Sequence, residues 1–72
     1  MTYELTNDEK RNIINQHLRN LEYSKFNVEI SLVEENADPA PDQTNLDTLA
    51  GQLSTINGKM EALVAELATV VD

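Results

Sequence analysis

From Leu46 to Val70 the residues Leu46, Leu49, Leu53, Ile56, Met60, Leu63, Leu67 and Val70 follow one another at spacings of 3, 4, 3, 4, 3, 4 and 3. This alternation fills every a and d position of four heptads and makes one stripe of an α-helix apolar, the pattern of a coiled-coil seam. Gly51 and Gly58 share the f position on the side away from that seam. Each costs about 1 kcal/mol against Ala, which softens the helix without shifting its phase. Asn57-Gly58 is also the strongest two-residue hairpin signal. Its flanks, Leu53-Ser54-Thr55-Ile56 and Lys59-Met60-Glu61-Ala62-Leu63, lack the period-two alternation that paired strands need. A continuous helix is therefore predicted over about 44–71.

The two prolines lie close together in Asn36-Ala37-Asp38-Pro39-Ala40-Pro41-Asp42. Each disfavours helix in the residue before it, so Asp38 and Ala40 are pushed toward extended backbone. Asn36 is expected to close the incoming helix as its C′ residue, and Asp42 or Thr44 to cap the outgoing one. So short a linker joins antiparallel helices in bundles. The chain reads as one domain over 1–72: an arm (1–6), a first helix (about 7–35), an elbow (36–43) and a second helix (44–72).

The first helix opens on Thr6-Asn7-Asp8-Glu9, the S/T-x-x-E capping box. Asp8 and Glu9 also stand where the helix dipole favours negative charge. Further along, Phe26-Asn27-Val28-Glu29-Ile30-Ser31-Leu32 alternates apolar and polar as a half-buried strand would. A helix accounts for the same residues as two stripes. Ile14, Leu18, Leu21, Val28 and Leu32 form a seam interrupted by Lys25, while Tyr23, Phe26, Ile30 and Val33 occupy the opposite side at spacings of 3, 4 and 3. No second strand-like run exists to pair with 26–32, so helix is preferred; a strand added by a partner chain would overturn that.

Folding the chain at the elbow sets Ile14 against Leu67, Leu18 against Leu63, Leu21 against Met60, Lys25 against Ile56, Val28 against Leu53 and Leu32 against Leu49. Lys10 and Arg11 then approach Glu66 and Asp72, and Glu22 comes level with Lys59. Exposed pairs of this kind are worth about 0–1 kcal/mol each and bear on register more than stability. Apolar surface is left over: Ala50, Val64 and Val71 on e positions of the second helix, and the Tyr23–Val33 stripe on the first. A chain of 72 residues is already near the size at which a lone core fails to suffice. The expectation is an all-α, two-helix antiparallel hairpin that belongs to a larger helical bundle, as a homo-oligomer or docked into another protein assembly.

Composition removes several function classes. Thirteen Asp/Glu against five Lys/Arg leave a net charge of −8, which argues against direct nucleic-acid binding. The chain has no cysteine, hence no disulfide, thiolate zinc site or cysteine nucleophile. No apolar run approaches the roughly 20 residues of a membrane span, and the N-terminus lacks a secretory signal pattern. His17, the one histidine, has no companion ligand and reads as a rim residue. Lys25 reads as a side chain that lays its methylenes along the interface and keeps its amine in water. Glu34, Glu35, Asp38 and Asp42 cluster at the elbow, but without EF-hand spacing or its glycine they read as a solvated acidic tip. A catalytic carboxylate pair needs a pocket, which two helices do not supply, and the Ser/His/Asp residues sit on no triad scaffold. Glu61 and Glu66 alone on the second helix between Gly51 and Val71 are too sparse to imitate a phosphate ladder. No enzyme, cofactor or metal is expected.

Asn15-Gln16-His17-Leu18-Arg19-Asn20-Leu21-Glu22-Tyr23-Ser24-Lys25-Phe26, followed by Glu34-Glu35-Asn36-Ala37, resembles small uncharacterised helical proteins of marine tailed bacteriophages, cyanophages among them. The resemblance covers the first helix and the helix–elbow–helix layout, and no functional residue can be carried across. It implies a viral protein, a minor virion component or a factor acting in the host cytoplasm. The expected function is a non-enzymatic protein–protein interaction or structural module. Its assembly seam is Leu46, Leu49, Leu53, Ile56, Met60, Leu63, Leu67 and Val70, with a second contact at Tyr23, Phe26, Ile30 and Val33. The alternative is a small acidic regulator that binds and inhibits a basic host protein such as a polymerase or nuclease.

Overall fold

The computed structural model describes residues 4–71, which form two helices, α1 (Asn7–Ala37) and α2 (Gln43–Thr69), packed against each other as a hairpin. No strand occurs among the described residues. Segment 26–32 lies within α1, and Asn57-Gly58 lies within α2 without a break. Met1 to Tyr3 of the expected arm lie outside the described residues, as does Asp72.

The start of α1 follows from its capping box. Thr6 is extended, at φ −69° and ψ 162°, and its Oγ1 accepts from the Glu9 N–H at 3.1 Å. Glu9 Oε1 in turn accepts from the Thr6 N–H at 3.0 Å. Two donors that the helix leaves without partners are thereby satisfied.

The end of α1 differs from the sequence expectation. The helix runs two residues past 35, through Asn36 and Ala37, so Asn36 is not its C′ residue. The break comes at Asp38, at φ −67° and ψ 138°, the residue that Pro39 holds out of the helical region. Three carboxylates then organise the elbow. Asp38 Oδ1 accepts from the Ala40 N–H at 2.9 Å, and Glu35 Oε1 accepts from the Asp42 N–H at 2.7 Å. Asp42 is the N-cap of α2, its Oδ1 accepting from the Thr44 N–H at 2.8 Å.

α2 begins at Gln43 and stops at Thr69, short of the expected 71. Val70 leaves helical geometry at φ −89° and ψ 87°, while its N–H still donates to the Leu67 carbonyl at 3.1 Å, which tightens the last turn. At this open end Asn7 Nδ2 donates to the Val71 carbonyl at 3.1 Å, joining the first turn of α1 to the end of α2.

The hairpin measures 61 × 19 × 15 Å, with a radius of gyration of 17.1 Å. A compact 72-residue domain would have a radius of about 11 Å. The contact between the helices is a single seam, and none of the described residues is buried.

Candidate interaction surface

All eight apolar a and d residues of α2, Leu46, Leu49, Leu53, Ile56, Met60, Leu63, Leu67 and Val70, are half-buried. On α1 the half-buried set is Ile14, Leu18, Leu21, Lys25, Val28 and Leu32, with Asn7, Arg11, Glu29 and Glu35 beside them. The heptad phase thus selects the residues at the helix–helix contact. None reaches full burial, because one neighbouring helix covers one side of a cylinder and leaves its flanks open.

The second stripe stands clear of that contact. Tyr23 is 62% exposed, Phe26 62%, Ile30 41% and Val33 63%. Arg19 lies beside it, with its guanidinium carbon 5.1 Å from the centre of the Tyr23 ring and Nη1 3.4 Å from Glu22 Oε2. Val64 on α2 and Val71 just beyond its end are exposed as well. Heptad geometry assigns Ile13 and Leu5 no place on the seam or the stripe, and both are exposed. The structure brings the eight seam residues together and gathers the four stripe residues on the far side of α1.

His17 lines an open groove along one flank of the hairpin, with Leu21, Ser24, Lys59, Leu63 and Glu66. Lys25 is half-buried on the seam. The elbow carboxylates Glu35, Asp38 and Asp42 accept from backbone N–H groups, as described above, and do not converge on one point. Among the described residues no group of three His, Cys, Asp or Glu is arranged to hold a metal ion. No described helix is long and apolar enough to cross a membrane.

Of the expected ion pairs along the rim, any that involves Asp72 lies outside the described residues. Glu22 pairs with Arg19 on its own helix, and Arg11 Nη2 lies 3.6 Å from Asp8 Oδ1. Side chains three apart on one helix reach each other at less entropic cost than long side chains reaching across the hairpin. The Thr6 backbone N–H, and then its hydroxyl, hold the Glu9 carboxyl below the ordinary glutamate range.

Sequence reasoning missed the Glu35–Asp42 and Asn7–Val71 hydrogen bonds, which close the two ends of the hairpin. Neither pair forms a motif in sequence, because each depends on where the elbow delivers the second helix. Comparison with protein-family models, with curated proteins and with solved structures found no match.

Proposed function

We propose that the chain is a non-enzymatic interaction module, a helical hairpin that works as one unit of a larger protein assembly. Within that class the resemblance of its first helix to phage proteins favours a minor virion or assembly component. The observation that carries the reading is the absence of any buried residue among those described, alongside an exposed stripe of four large apolar side chains. Folded monomers follow an accessible area of about 6.3·M^0.73, close to 4,500 Å² at this mass. The hairpin exposes 5559 Å². The excess, on the order of 1,000 Å², is comparable to the ~800 Å² that each partner contributes to a stable protein interface.

A second reading, an acidic regulator of a basic host protein, draws on the net charge of −8. The two differ in their response to salt. Apolar self-association of an acidic chain should persist or strengthen on going from about 0.05 to about 0.5 M salt, because screening weakens repulsion between copies. Mass by light scattering at both concentrations checks this. Binding to a basic protein such as a polymerase or nuclease that fades over the same salt range would favour the charge-led reading.

A further inference from the structure

We propose that a second copy of this chain docks on the outer face of α1 in antiparallel orientation, about a two-fold axis level with Val28. The inference rests on the self-association proposed above and names its face and direction.

A closed two-fold contact uses the same patch on both copies, so the patch must be complementary to itself. The spacings of Tyr23, Phe26, Ile30 and Val33 are 3, 4 and 3, which read the same in either direction. Reversing the stripe about its midpoint sets Tyr23 against Val33 of the second copy and Phe26 against Ile30 of the second copy. Each pair then recurs on the other side of the axis. An aromatic ring thus meets a branched aliphatic side chain at every level, large against small, as close packing requires.

Charge decides the direction of the pair. Glu34, Glu35, Asp38 and Asp42 crowd the elbow. A parallel pair would bring both elbows to one end and set eight carboxylates side by side. The antiparallel pair separates them. It also brings Arg19 level with Ala37 of the second copy, between Glu34 and Asp38 of that copy. Of the five Lys/Arg in the chain, Arg19 alone shares the helix side of this stripe; Arg11 and Lys25 belong to the seam side, Lys10 flanks it and Lys59 is on α2. The Arg19 side chain is 67% exposed and already lies against Tyr23 at the edge of the stripe. Opposing these gains, the two Glu29 carboxylates flank the axis on the same side, so salt should tighten the pair.

With aromatic side chains carrying about 150–250 Å² each, the four exposed side chains offer on the order of 400 Å² per copy. Adding the rim, the pair buries roughly 1,000 Å² in total, at the lower bound for a specific interface and in the range of weak ones. A weak dimer, populated at high protein concentration, is therefore expected from this face. Val64 and Val71, at the open end, lie outside it.

A chain without cysteine makes the test direct. Phe26→Cys and Ile30→Cys proteins are prepared separately, mixed in equal amounts at high micromolar concentration and oxidised, and the cross-linked species are counted by mass spectrometry. The antiparallel pair predicts a several-fold excess of the mixed 26–30 cross-link over the two symmetric ones. Predominant symmetric cross-links would mean a parallel pair, and a statistical mixture would mean no fixed pairing; either result overturns the proposal. The unsubstituted protein and the Phe26→Ser/Ile30→Ser variant are sedimented alongside. Loss of the dimer in the variant supports this face. An assembled mass unchanged by the variant overturns this face yet leaves self-association standing, whereas an unsubstituted monomer at high micromolar concentration overturns both.

Discussion

At the scale of single residues the hairpin is held at its turning points by side-chain oxygens that accept from backbone N–H groups. Thr6 and Glu9 at the start of α1 show what such a bond does to a titrating group. The Thr6 N–H and hydroxyl stabilise the ionised Glu9 carboxylate, so its pKa is lower folded than unfolded. The contribution is complete above the ordinary glutamate value of about 4.3 and is lost as pH falls through the lowered folded value. An NMR titration of the Thr6 amide should therefore show a midpoint below the ordinary glutamate value, displaced upward in Thr6→Ala; a midpoint at or above that value in the parent protein would contradict the reciprocal bond. This capping box was legible because its partners are three residues apart and share one helix turn. The Glu35–Asp42 bond was not, since it depends on the path of the chain through Pro39 and Pro41.

At the scale of the helices, legibility tracks how many stripes a segment carries. α2 has one strongly marked seam, and its heptad phase identifies all eight half-buried a and d residues without error. α1 has two. Phe26 and Ile30 belong to the outer stripe while Val28 and Leu32 belong to the seam, so residues on opposite helix faces interleave in sequence and imitate a strand. Only the presence of α2 on one side separates them. Helix ends shifted by one or two residues because termination is decided by local caps and by Pro39, which periodicity does not record.

The glycines of α2 provide a test at this scale. A Cβ added at Gly51 or Gly58 meets nothing within 4 Å in the hairpin. Replacing either by Ala should recover most of the helix-propensity penalty, about 1 kcal/mol each. At fixed protein concentration that corresponds to a rise in melting temperature of about 4–8 °C per substitution for a domain of this size. Calorimetry checks this, and a fall instead would place a close neighbour against the outer face of α2.

The described residues form a rod with a seam, and none of them is buried. Its radius of gyration of 17.1 Å and its surface of 5559 Å² both exceed what a compact chain of this length shows. The sequence made the surplus apolar surface legible, because the Tyr23–Val33 stripe and the e positions of α2 exceed what one antiparallel partner can cover. It did not make a neighbour legible, because on the proposed reading the complementary surface would belong to another molecule. Burial of apolar surface is the dominant stabilising term, and ordering each residue costs about 1–2 kcal/mol, so under the proposed function a hairpin with only half-covered side chains would gain much of its stability from the chain that covers the rest.

The measurement that bears most directly on this dependence is sedimentation combined with circular dichroism across a dilution series from high to sub-micromolar protein. Mass should fall toward the 8.1 kDa of one chain on dilution, with helix content and melting temperature falling alongside it. A particle of one chain at every concentration, with an unchanged and steep thermal transition, would contradict the account.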